Sequence, residues 1–236
     1  MRHVQNVVRL HLNKPEVTFL VPLFILFLVL VISAIISLTL QRVGLDPSNP
    51  DFAEGARMNG GATWSLPGFL VYLGVQAVAT TFPFALALGS TRRAYVAGTA
   101  VANVILAAYV AVVMMILLAI ELATGHWFAN IYVLDTFSLG SGNFLQLGLT
   151  AFLGTFTALS VGGLFGAIWV RFGARGPVVL GIALGLVLAL ILFLTAPSLA
   201  TLIPQITGSM VALTVAVLAL AAIVATWACM RRTAVR

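Results

Sequence analysis

Six apolar runs, each about twenty residues or more, make up most of this chain, and none alternates between apolar and polar positions. A helix rises 1.5 Å per residue, so a run of that length crosses the hydrocarbon core of a bilayer. Strands of a membrane barrel would be about ten residues long with strict alternation. The remaining residues cannot support a water-soluble surface. Only 8% of the 236 residues are charged and 61% are hydrophobic, whereas soluble domains carry about a quarter charged residues. The chain therefore reads as an all-α integral membrane protein, with one transmembrane domain over residues 1–236.

The spans are expected at about 17–40, 67–88, 95–123, 143–170, 177–196 and 209–230. Ahead of them, residues 1–14 alternate at helical period. Val4, Val7, Val8 and Leu12 fall on one face, and Arg2, Asn6, Arg9 and Asn13 on the other. That pattern predicts an amphipathic helix lying in the membrane interface. Pro15 and Glu16 then break the pattern, and the first apolar run is too long for a signal peptide. Residues 41–66 hold Asp46, Pro47, Asn49, Pro50, Asp51, Glu54, Gly60 and Gly61, which predicts an irregular polar loop. Pro67 is a natural first residue for the second span. A second loop, 124–142, carries Trp127 and Tyr132, which suit an interfacial aromatic belt. Residues 197–208 are apolar but too short to span, and Pro204 interrupts them. They are expected to form a broken outer hairpin between spans five and six.

Charge gives the orientation. Arg2, Arg9, Lys14, Arg92, Arg93, Arg171, Arg175, Arg231, Arg232 and Arg236 fall in the N-terminal segment, the turns after spans two and four, and the tail. Only Arg42 and Arg57 fall on the other side. Basic residues collect in cytoplasmic loops, so both termini are expected in the cytoplasm and the chain in the cell membrane. Orientation also accounts for the net charge of +6 without a nucleic-acid partner.

Several chemistries are disfavoured. Lys14 is the only lysine and no Gly-Lys-[Ser/Thr] element surrounds it, so no Walker-type ATP site is present. Cys229 is the only cysteine, so no disulfide forms within the chain. His3 and His11 lie on the N-terminal helix and His126 in an outer loop, which does not make one metal site. No Asp, Glu, Lys or Arg lies at the middle of a span, and Glu121 sits near the outer end of span three. Proton- and ion-coupled transport usually needs such a group. No internal repeat of the transporter kind is visible. No catalytic residue is assigned, and the chain reads as a non-enzyme. Two glycine pairs, Gly162-xxx-Gly166 and Gly181-xxx-Gly185, would let spans four and five pack closely.

The turn after span two reads Gly89-Ser90-Thr91-Arg92-Arg93-Ala94-Tyr95, with Gly98 one turn on. Gly89 suits a helix stop, and Ser90 or Thr91 a cap for the next helix. Two adjacent arginines in so short a gap need water or a protein partner. This run resembles the corresponding turn of export-type ABC transporter permeases, the type-2 or type V membrane subunits, which often carry Gly-x-[Ser/Thr]-Arg-[Arg/Lys]-x-[Tyr/Phe] there. The interfacial helix, six spans and broken outer hairpin are also similar to that family's layout.

The resemblance implies a function. Two permeases, identical or homologous, would pair, each on one of two copies of a separate ABC ATPase that binds the ATP and Mg; this chain itself would hold no cofactor. Gly89, Ser90, Thr91, Arg92, Arg93 and Tyr95 would form the ATPase coupling contact. Spans two and five would line the pathway, making Gln76 and Thr80 candidate pathway residues, with Asn103 on span three. The sparse polar groups would suit a hydrophobic or amphipathic cargo such as a lipid, drug or peptide. Two alternatives stay open. One is the substrate-binding membrane subunit of a vitamin-type importer, which needs a pocket built from outer loops and a small-residue face on span one. The other is a non-transporting membrane scaffold.

Overall fold

The computed structural model describes residues 2–198, 201 and 205–231. Among them the chain forms helices and no strand. The helices are α1 (Arg2–Leu12), α2 (Val21–Arg42), α3 (Pro50–Arg57), α4 (Gly61–Ala79), α5 (Thr81–Ala87), α6 (Arg92–Ala123), α7 (Phe144–Phe172), α8 (Arg175–Thr195) and α9 (Gly208–Arg231). A π-helical turn at Glu16–Leu20 leads into α2. Six helical stretches are long and apolar enough to cross a membrane, with α3, α4 and α5 counted as one. Of the predicted hairpin at 197–208, residues 199, 200 and 202–204, Pro204 among them, lie outside the described residues.

Two boundaries differ from the expectation. The 41–66 loop is not irregular throughout, because Pro50–Arg57 is helical. Asn49 caps it by accepting from the Asp51 N–H at 3.0 Å, and Pro50 stands at the first helical position, where its missing N–H costs nothing. Nor does Pro67 open the second span; α4 begins at Gly61 and carries Pro67 inside. A break follows between α4 and α5 at Thr80. Pro83 causes it, since its ring cannot sit against the Ala79 carbonyl in a continuous helix.

The chain divides into two compact units. The first contains Met1–His11, Val71–Ala100 and Leu159–Arg236. Its core gathers Val7, Val78, Phe82, Ala85, Tyr95, Ala167 and Met230. The apolar face of α1 is thus turned onto the protein, while Asn6, Arg9 and Asn13 are exposed. Gly98 makes this fit possible, because a Cβ there would come within 2.6 Å of Val7 Cβ. The glycine pair on span four does not pack on span five. A Cβ on Gly162 would lie 2.1 Å from the Val71 carbonyl, and one on Gly166 2.7 Å from the Val75 carbonyl. The close crossing is therefore between α7 and α4, completed by Gly74. Gly181 and Gly185 face open space, and the apolar stretch of α8 buries none of its residues in this chain.

The second unit contains Leu12–Leu70 and Val101–Ala158. Tyr109 of α6 donates to the Phe19 carbonyl at 3.0 Å and meets the Phe19 ring edge-on. After α6 the chain makes a left-handed turn through Gly125, His126, Trp127 and Phe128. Residues 131–136 then run through the interior, all of them buried. Asn143 starts α7, with its side chain accepting from the Gln146 N–H.

Candidate functional site

The Gly89–Tyr95 turn lies wholly in the first unit. Gly89 takes a φ of 82°, which its lack of a Cβ allows. The Gly89 N–H donates to the Leu86 carbonyl and the Ser90 N–H to the Ala85 carbonyl. That pair of bonds is the Schellman stop. One residue later a new helix begins. Thr91 Oγ1 accepts from the Ala94 N–H at 3.2 Å, and the Thr91 carbonyl accepts from the Tyr95 N–H at 2.9 Å. Stop and start are therefore back to back, and four residues, Leu88, Gly89, Ser90 and Thr91, connect two capped helices.

The two arginines part company. Arg92 is half-buried, and its Nη1 donates to the carbonyls of Met230 at 3.2 Å and Arg231 at 2.7 Å. A cation on the last carbonyls of a helix satisfies groups that have no intrahelical partner and offsets the dipole. The turn is thereby tied to the end of α9. Arg93 is exposed. Tyr95 points inward. It is 0% exposed, donates to the Ala77 carbonyl, and has the Phe82 and His11 rings 5.1 and 5.6 Å away. The surface of the turn is thus formed by Gly89, Ser90, Thr91 and Arg93, with Arg92 and Tyr95 holding it from behind.

The candidate pathway residues are less gathered. Gln76 is half-buried, and its carbonyl accepts from the exposed Thr80 hydroxyl at 2.7 Å, just before the α4–α5 break. Asn103 is buried and belongs to the second unit.

Sequence reasoning missed a cluster of charges in the second unit. Glu121 is 0% exposed. Its Oε1 accepts from the N–H groups of Val133 (3.0 Å) and Asp135 (3.2 Å), and its Oε2 from that of Leu134 (2.8 Å). It makes no ion pair among the described residues; three peptide N–H groups satisfy its two oxygens. Asp135, also buried, pairs through Oδ2 with Arg57 Nη2 at 2.8 Å and with His126 Nε2 at 3.0 Å. The His126 ring stacks on Tyr132 at 4.0 Å, and the Arg57 guanidinium lies 5.6 Å from the centre of that ring. Tyr132 is buried here and not presented to an interface. The available signal was the stripe Ala107, Val110, Met114, Leu118, Glu121 on α6. These residues recur at steps of three and four, and all are buried. An acid on that stripe must bring partners with it.

The same unit holds a cavity of about 590 Å³ between the second half of α2, the 45–49 connection, α3 and Tyr132. Ser33 and Ser37 form a small polar face of α2 within it. Asn59 holds one edge, its Nδ2 donating to Ser33 Oγ at 2.9 Å and to the Tyr132 carbonyl at 2.8 Å.

No family model, no curated protein and no solved structure matches this chain.

Proposed function

We propose that this chain is the permease subunit of an ATP-driven exporter of the ABC type, moving a hydrophobic or amphipathic cargo with a separate ATPase. The observation that carries the reading is the Gly89–Tyr95 turn. Its caps stop one helix and start the next within four residues, and Arg93 stands exposed on it. A short, doubly capped turn transmits a push with little loss, which a coupling element needs. Arg92 adds a second lever, since moving the turn pulls on the α9 terminus. The docking surface is then Ser90, Thr91 and Arg93, with Gly89 setting its shape and Arg92 and Tyr95 setting its position. On this reading the turn is cytoplasmic, the protein lies in the cell membrane, and two copies pair. ATP-driven closure of the ATPase switches the pair between two states, each with its own contacts.

The test is affinity purification of the tagged chain from its native membrane in mild detergent. An ATPase subunit with a Walker motif is expected in the eluate in near-equal amount. Its absence across several mild detergents would remove the reading.

A second reading has an observation of its own. The cavity that Ser33 and Ser37 help to line supports the substrate-binding subunit of a vitamin-type importer, while the Leu-, Ile- and Val-rich character of the first span counts against it. Both readings require an ATPase. They differ in which way cargo moves in sealed vesicles.

A further inference from the structure

The cavity beside α3 points to a ligand by its own chemistry, whichever way cargo moves. Its walls include Ile36, Leu40, Phe52 and Met58, and Asp46 and Asp51 stand at its rim. No Lys, Arg or His lines it. Arg57, the nearest basic residue in sequence, is engaged by Asp135. The Asp46 carboxyl is held below its ordinary range by hydrogen bonds from the Ser48 backbone and side chain, so it is charged at neutral pH. At the polar face, Ser33 is only 8% exposed. Its Oγ accepts from Asn59 Nδ2, which leaves the hydroxyl hydrogen to donate. Ser33 lies nine residues before the end of α2, about 13 Å in along the helix. The site is therefore mostly apolar, with Ser33 buried at one end and the carboxylates of Asp46 and Asp51 exposed at the other. That is the usual build of a small-molecule pocket, an apolar body with a few placed polar groups.

We propose that this cavity binds a small amphipathic cation, with its apolar body against Phe52 and Met58, its positive group at Asp46 and Asp51, and any acceptor on its inner end at Ser33. Its volume suits a ligand of drug-like size, since such pockets run from about 300 to 1,000 Å³. An anion of the same shape is rejected, because the rim carries two negative charges and no positive charge faces in.

The experiment uses the full chain in nanodiscs of uncharged lipid, with empty discs as background. Tetraphenylphosphonium and tetraphenylborate have nearly the same shape and opposite charge. The cation is expected to bind saturably, one per chain, and the borate not to saturate. Asp46→Asn with Asp51→Asn should weaken the cation about tenfold, since exposed charge pairs are individually weak, and leave thermal unfolding unchanged. Asn keeps the acceptor that Ser48 uses. Ser33→Leu, which fills the inner end, should abolish saturable binding. Equal saturable binding of the two ions would overturn the proposal. So would undiminished affinity in the double Asn variant, or no saturable binding of the cation by wild type. None of these results bears on whether an ATPase docks at the Gly89–Tyr95 turn.

Discussion

Glu121 offers the sharpest test of how the second unit is held. Replacing it with Ala removes one acceptor from each of three buried N–H groups, those of Val133, Leu134 and Asp135. Each buried donor left without a partner costs about 1–3 kcal/mol. The three together set a ceiling near ~9 kcal/mol, and water entering the vacated space reduces it to about 3–5 kcal/mol. Glu121→Gln is milder. Its amide oxygen can keep the two bonds made by Oε1, and its NH₂ then faces the Leu134 N–H, so one bond is lost. About 1–3 kcal/mol is expected. The segment that Glu121 holds contains Asp135, so the Arg57 and His126 contacts should loosen with it. The assay is denaturant or thermal unfolding of the detergent-solubilised protein, with protease cleavage between residues 124 and 143 read by mass spectrometry. Stability should fall from wild type to Gln to Ala, with cleavage rising in the same order. Both variants within about 0.5 kcal/mol of wild type, the usual range for surface changes, would refute the reasoning. So would an Ala variant no less stable than Gln.

Two further outcomes follow from the first unit. Gly162→Val should destabilise by at least about 1–3 kcal/mol, the usual overpacking cost, because a Cβ there meets the Val71 carbonyl, a backbone atom that cannot step aside. Gly181→Val on α8 should be close to neutral in the isolated chain, and equal effects at the two sites would contradict the α7–α4 crossing. Burial lowers the His11 pKa from 6.5 to about 4, so the folded chain holds the neutral ring and the released segment takes up the proton first. The stability this gives α1 is complete above about pH 6.5 and is lost as pH falls towards 4, up to about 3 kcal/mol at 1.4 kcal/mol per unit. Hydrogen exchange of residues 2–12, corrected for intrinsic rates, should show α1 loosening across that window, and His11→Gln should flatten the response.

The six spans were legible because each is a long apolar run, a signal that few other structures share. The turn at Gly89 was legible too, since the glycine stop and the Thr91 cap are local events written in adjacent residues. The α3 helix was hidden by its eight-residue length and two prolines nearby, although Asn49-Pro50-Asp51 spells a capped start. The partner of Gly162 and Gly166 could not be read, because small residues mark a face and do not say which helix meets it. The inward aim of Tyr95 depends on Ala77, Phe82 and His11, on three other helices, and the engagement of Arg92 depends on α9, 138 residues away in the case of Met230. The Glu121 cluster was the largest omission. An acid near the end of a span reads as a boundary residue until the buried stripe of α6 is followed down to it.

The most direct measurement of the central claim is a photo-crosslink from position 93. A photoreactive residue replacing Arg93 in the native membrane should link the chain to an ATPase subunit, and one replacing Ser90 should do the same, while one at position 43, in the connection after α2, should not. Links from position 93 only to lipid or to a second copy of this chain would contradict the account.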